Sequence, residues 1–326
     1  MTFDPSLRLK DALGIEESMR TDEIEVTVEA PGRLFASLLD AKLTFDRLVG
    51  RYAPDGKSRR RILENRYYQH LAGGLAGILE YMAVERLFEV SGSGEYDRII
   101  LDTPPTRQAL EFLEAPERIV GFLDSGALKL ALRSWFDKEG HLRPTRHLGR
   151  FGRRFESYLD DVVGLDLLRD MVEFFQAFEP LYDGFRERAK DVEKLLRSES
   201  TLFTLVAGSG EEKIPDTLFF ARRLQEAGYR LGPIVVNRMH ADPRKAADLA
   251  ALQDRNLTDG RQLLAWLGQR DARGLQRLAS LVEEDQPLVG IPLLATEPSD
   301  LASLAALGEI FLTRLDEVGG VPLPKE

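Results

Sequence analysis

The sequence has no cysteine. That excludes structural disulfides, thiolate metal sites and thiol redox chemistry. Its four histidines are scattered and show no metal-ligand spacing. No apolar run approaches the ~18 residues that span a bilayer, and no signal peptide is visible. The expectation is therefore a soluble, cytoplasmic protein with no transmembrane segment. Positive charge is also in deficit, with 44 Lys and Arg against 54 Asp and Glu and a net charge of −10. Such a balance argues against generic binding to nucleic acid or anionic membranes, so no nucleic-acid partner is expected.

What is present is length for one large or two modest domains in 326 residues, with ample chain for a core. The most informative stretch is Tyr96–Leu113. A short apolar run, Ile99–Ile100–Leu101, reads as a buried parallel strand and ends in Asp102. A stiff turn follows (Thr103, Pro104, Pro105, Thr106), then a helical pattern carrying Ala109, Leu110, Phe112 and Leu113. A carboxylate at the C-terminal end of such a strand lies where open α/β sheets bind ligands. The bland alternative is a strand and an Asp–Thr turn without chemistry.

From Thr201 onward strands and helices alternate. Leu202–Val206, Ile234–Asn237 and Leu288–Pro292 read as strands. Pro215–Ala227, about Pro243–Glu284, and Leu301–Leu315 read as helices. Proline near the first turn and Gly228 past the end mark the first of these. The alternation predicts an α/β fold with a mostly parallel sheet covered on both faces.

Between these parts the sequence reads differently. Glu23–Glu29 alternates as a half-buried strand ended by Pro31-Gly32. Leu34 to Val90 reads as helical, with a helix over about Asn65–Val90 despite Gly73, Gly74 and Gly77. Ser91-Gly92-Ser93-Gly94 reads as a flexible break. His141–Arg154 is a basic connector, with an anionic-partner site as its alternative. Phe155–Arg197 is amphipathic, and its stripe through Phe174, Phe178, Leu181 and Phe185 is expected to be buried packing.

Asp102-Thr103-Pro104-Pro105-Thr106-Arg107-Gln108 resembles the second switch of the ArsA-type ATPases: arsenite-pump ATPases, tail-anchored-protein-targeting ATPases and their bacterial relatives. That switch runs Asp-Thr-Ala-Pro-Thr-Gly-His, and the sequence departs from it at three positions. Asp4-Pro5-Ser6 with Leu13-Gly14 matches the frame of the first switch. Val235-Val236-Asn237-Arg238 looks like the segment whose Asn reads the adenine edge, where an amide donates and accepts at once. The plain alternative for Asn237 is a strand-end turn residue. Gly290-Ile291-Pro292, followed by Glu297-Pro298, looks like the loop beside the adenine.

The resemblance implies a doubly wound sheet of the P-loop NTPase type with an inserted helical subdomain. Residues 1–30, 96–113 and 199–326 would form the nucleotide core, and 31–95 and 114–198 the helical segments. It implies ATP and Mg as cofactors. Asp4 and Asp102 would be catalytic, the first orienting the attacking water and the second holding Mg through water. Thr103, Pro104 and Thr106 would sense the γ-phosphate, and Asn237 and Pro292 would flank the base. It also implies a homodimer with an unidentified protein client, and hydrolysis that drives a change in the helical subdomain. The lack of cysteine weighs against arsenite as a substrate.

The glycine-rich phosphate loop of that family is missing from the sequence. Gly56-Lys57-Ser58 carries its tail, but Gly50 lies one residue too far upstream, and Pro54-Asp55-Gly56 reads as a turn. Gly56–Ser58 is thus expected to be a solvated loop. Two readings follow. One is a chain whose Met1 is internal to a longer protein and which alone is poorly stable and binds ATP weakly. The other is a degenerate, non-hydrolysing relative acting as a binding or regulatory protein.

Overall fold

The apolar stripe Phe45, Leu48 and Val49 recurs at helical spacing and builds α1 (Ala41–Tyr52), with Asp40 capping its first turn by accepting from the Leu43 N–H at 2.9 Å. In the computed structural model, residues 1–2, 11–15, 23–28, 31–71, 78–103, 109, 113–118, 120–121, 170, 173–174, 177–240 and 255–319 are described. They fall into two units, Met1–Pro5 with Glu17–Lys194, and Ser6–Glu16 with Leu195–Glu326. Asp4, Pro104, Thr106, the glycines at 73, 74 and 77, and the basic connector 141–154 lie outside the described residues.

In the first unit, β1 (Ile24–Val26) pairs antiparallel with β2 (Leu34–Ala36). The sequence predicts a helix from Leu34, and the structure corrects this. Pro31-Gly32 turns the chain back, so Leu34 and Ala36 align opposite Val26 and Ile24, and Arg33 grips Glu25 through two hydrogen bonds of 2.8 and 2.7 Å. The helical stretch starts only at Ala41. It continues through α2 (Gly56–Leu63), α3 (Arg66–Leu71) and α4 (Ile78–Ser93). The predicted break at Ser91–Ser93 is instead the last turn of α4, because Gly94 with φ +69° is the first residue to leave the helical region. Later in the chain α5 (Tyr182–Leu196) joins them.

Their shared core is aromatic. Phe45, Tyr68, Tyr81, Phe174, Phe178 and Phe185 are buried together with Leu48, Val49, Ile62 and Leu181. Phe178 stacks on Phe174 at 5.5 Å and meets Phe185 edge-on at 4.7 Å. Each such pair contributes ~0.5–1.5 kcal/mol beyond its burial. The buried stripe expected at Phe174 and Phe178 is therefore observed.

One polar cluster interrupts this core. Glu85 on α4 is 2 % exposed and accepts from the Arg188 Nε of α5 at 2.6 Å. The guanidinium lies 4.2 Å over the Phe88 ring. Among the described residues, Glu85 Oε2, Arg188 Nη2 and the Tyr81 hydroxyl are buried without a hydrogen-bond partner. Burial pushes the Glu85 carboxyl above its ordinary range, against the pull of Arg188. Burial, with Glu85 nearby, likewise pushes up the Tyr81 phenol.

The second unit is a parallel three-stranded sheet in the order β3 (Phe203–Gly208), β4 (Leu231–Met239), β5 (Leu288–Pro292). Alternation sorts β4 onto two faces. Ile234 and Val236 pack with Ile214 and Ala221 of α6 (Ile214–Glu226) and Leu278 of α7 (Arg255–Ala279). Val235, Val289 and Ile291 pack with Leu307, Phe311 and Leu315 of α8 (Leu301–Glu317). The start and stop signals act as read: Pro215 sits in the first turn of α6, and Gly228 follows its end at φ +78°. Asp300 and Ser303 form a reciprocal capping box on α8. Gly290 lies under the Met239 side chain, whose sulfur a Cβ there would meet at 2.7 Å and push aside. Among the described residues, no helix is long and apolar enough to cross a membrane.

Candidate functional site

The segment before Asp102 is extended but is not a regular strand. Met1 donates its N–H to the Ile100 carbonyl at 2.8 Å, and Asp102 donates its N–H to the Met1 carbonyl at 2.9 Å. On its other side Thr2 donates to the Ser37 carbonyl and accepts from the Leu39 N–H, at 3.0 and 3.1 Å. Thr2 thus bridges in parallel to Leu38 and to Asp102. The predicted buried strand at Ile99–Leu101 is corrected here. Ile100 is 80 % exposed, because among the described residues the segment is paired only along its Met1–Thr2 side.

Asp102 nevertheless stands where the sequence reading puts it, at the C-terminal end of that segment. Its Oδ2 accepts from the Thr2 hydroxyl at 3.0 Å, which fixes the carboxylate while Asp102 and Thr103 remain exposed. One anchored, exposed carboxylate fits what Mg takes from a protein when phosphates and waters supply the other ligands. Among the described residues, no group of three or more His, Asp or Glu forms a metal cluster of its own. At the start of the second unit, Gly14 has φ +66° and donates to the Asp11 carbonyl at 3.1 Å, so a helical turn ends where the Leu13-Gly14 frame predicts.

Gly56-Lys57-Ser58 is not a loop but the first turn of α2, and it is not a phosphate cradle either. Asp55 caps it by accepting from the Ser58 N–H at 2.6 Å. A carboxylate therefore occupies the helix N-terminus that a phosphate would need. The preceding element is α1, a helix rather than a strand.

In the second unit, a cavity of ≈ 530 Å³ opens at the C-terminal ends of β3 and β4, lined by Val206, Ala207, Gly208, Ser209, Asn237 and Arg238. This is the edge at which parallel sheets receive ligands. Val206 is 61 % exposed and aligns with Val235, so it offers an apolar wall beside the Asn237 amide. The Asn237 Oδ1 accepts from the Arg238 N–H at 2.8 Å, which leaves one oxygen lone pair and both Nδ2 protons for a ligand. Pro292 ends β5, aligned with Met239. Arg238 reaches Glu297 at 2.6 Å, so the Glu297 loop and the end of β4 are tied together.

Sequence reasoning did not single out His240 and Asp271. Asp271 on α7 is fully buried. Its Oδ2 accepts from the His240 N–H at 2.9 Å and pairs with the His240 Nδ1 at 2.8 Å. Its Oδ1 accepts from Arg270 Nε at 3.1 Å and Nη2 at 2.9 Å. Burial pushes this carboxyl up, but the hydrogen bonds from His240 and Arg270 outweigh it and hold the pKa below its ordinary 3.8. A depressed folded-state pKa adds stability above the unfolded value, and that stability is lost as pH falls through the folded one. Thermal melts between about pH 5 and about pH 2 should therefore show a smaller acid loss in Asp271→Asn than in the wild type. Equal losses would mean that the carboxylate is not favoured in the fold.

A parallel sheet with helices packed on both of its faces defines an α/β protein. Residues 1–139 match the family model described as anion-transporting ATPase. That segment, which includes Asp4 and Asp102–Thr106, is similar to the ArsA-type ATPases, a family of nucleotide-binding ATPases. No curated protein matches the chain.

Proposed function

We propose that this protein binds ATP with Mg and hydrolyses it, coupling nucleotide state to a helical client or partner surface. The observation that carries the reading is the Asn237 amide, held by its own backbone at the mouth of an apolar-walled cavity. Asn pairs with the N6 and N7 edge of adenine by donating and accepting together. The match over residues 1–139 supports the roles of Asp4 and Asp102. In this reading Asp4 orients water and Asp102 holds the Mg shell. Thr103, Pro104 and Thr106 respond to the γ-phosphate, and Pro292 borders the base. Bound Mg would supply charge neutralisation on the phosphates.

The three-stranded sheet is then part of a doubly wound P-loop NTPase-type core made of 1–30, 96–113 and 199–326. Residues 31–95 and 114–198 form the helical subdomain, and a cytoplasmic homodimer is the working assembly. A second reading, a non-hydrolysing relative with a binding or regulatory role, is favoured by one observation. The closest approach to a phosphate-loop pattern in this sequence is the Asp55-capped helix start.

Calorimetric titration of the full-length protein tests the base site. ATP is expected to bind tighter than GTP by roughly tenfold, within the ~1–3 kcal/mol a bidentate amide–base pair contributes. Asn237→Ala should remove the preference. Equal ATP and GTP affinities in the wild type would overturn the adenine assignment.

A further inference from the structure

Arg238 has φ +58°, and among the described residues no other non-glycine has a positive φ. The left-handed region is disfavoured for an L-residue, because its Cβ then crowds the following carbonyl oxygen. Such a conformation persists only where its surroundings over-determine it, and it marks functional turns. The surroundings of Arg238 do this. On its N-terminal side, its N–H is taken by the Asn237 Oδ1 at 2.8 Å. Its carbonyl accepts from the Ser209 hydroxyl, after β3, at 3.3 Å. Its side chain pairs with Glu297, after β5, at 2.6 Å. On its C-terminal side, the Met239 carbonyl accepts from the Leu293 N–H at 2.7 Å. One residue further, Asp271 holds both the backbone N–H and the ring of His240.

These restraints differ in strength. Arg238 and Glu297 are exposed and Ser209 is only half-buried, so their contacts compete with water and contribute little. Asp271 is fully buried, charged and supplied with four hydrogen-bond contacts. Hydrogen bonds to a buried charge are about twice as strong as neutral ones. The dominant hold on the chain as it leaves β4 is thus on α7, across the sheet from the α8 face.

We propose that Asp271 is a positioning residue: through His240 it locks Arg238 in its left-handed conformation and so fixes the Asn237 amide at the mouth of the cavity. It touches no ligand. If His240 were released while β5 still held Met239, Arg238 would relax to negative φ with a compensating change in ψ of Asn237, and this would rotate the shared peptide plane and turn away the N–H that orients the Asn237 side chain. This inference rests on the adenine reading for what the turn recognises, and not for how the turn is held.

The test uses the full-length protein labelled on arginine, with the Arg238 resonance assigned by its loss in Arg238→Lys. Backbone coupling and carbon shifts should report a left-handed Arg238 in the wild type and an extended one in Asp271→Asn. The ATP-over-GTP preference should fall by about tenfold in that variant. His240→Ala, which loses the ring contact and keeps the backbone one, gives an intermediate loss and serves if Asp271→Asn does not fold. A variant that melts lower but keeps a left-handed Arg238 and full ATP preference overturns the proposal, since Asp271 would then only stabilise the fold. If Arg238 relaxes as expected but the wild type shows no ATP preference, the positioning role stands and the adenine reading falls.

Discussion

Glu85→Ala is expected to cost the first unit ~3–5 kcal/mol, because it strands the Arg188 guanidinium in the core. The geometry sets the size. Glu85 and Arg188 are joined at 2.6 Å, with side chains 3 % and 14 % exposed, and Arg188 Nη2 already lacks a partner. Removing the carboxylate leaves a buried cation with only the Phe88 ring against it. Arg188→Met should cost a similar amount for the mirror reason.

The double replacement, Glu85→Met with Arg188→Met, should be near neutral or stabilising, since two desolvated charges and two unpartnered polar atoms leave together. Urea unfolding of the wild type, Glu85→Met, Arg188→Met and the double variant gives the coupling energy directly. Single variants that each cost under ~1 kcal/mol would show that the pair behaves as an exposed one. The pH dependence has a definite sign. The folded-state pKa of Glu85 is raised, so its contribution is fully present below the ordinary 4.5 and is lost as pH rises through the folded value. That is opposite to Asp271, and the two units should respond to acid in opposite senses at these groups.

The second large effect concerns turnover. In the full-length protein, Asp102→Asn should lower ATP hydrolysis by at least about 100-fold, ~2.7 kcal/mol of barrier. Nucleotide affinity should stay within a few-fold. Asparagine keeps the shape of the side chain and can still accept from the Thr2 hydroxyl, which now meets Asp102 Oδ2 at 3.0 Å. What it lacks is the charge that would order the Mg-bound waters. Steady-state hydrolysis with parallel binding titrations checks this. Near-normal turnover in the variant would remove Asp102 from the catalytic role. Binding without hydrolysis in the wild type itself would select the non-hydrolysing reading.

Local chemistry was legible in the sequence. Proline and glycine bracket α6, and the Phe174, Phe178 and Phe185 spacing declares a buried face. These signals act within one or two turns, so they survive without knowledge of the rest of the chain. The β-branched run before Asn237 was readable as a strand for the same reason, although β4 runs two residues further, to Met239. The resemblance of Asp102–Thr106 to the ArsA-type switch was also in the sequence alone, and the match over residues 1–139 agrees with it.

Tertiary structure decided what depends on partners distant in the chain. Leu34–Ala36 is a strand because Ile24–Val26 lies opposite, although its own pattern suits a helix. Ser91–Ser93 completes α4 because the helical bonds run on until Gly94. Ile100 is exposed because its neighbours, and not its β-branched side chain, determine burial. His240 and Asp271 are 31 residues apart, and Glu85 and Arg188 are 103 apart. No periodicity links such pairs. A buried carboxylate is stable only where donors converge on it, and that convergence exists only once sheet and helices have packed.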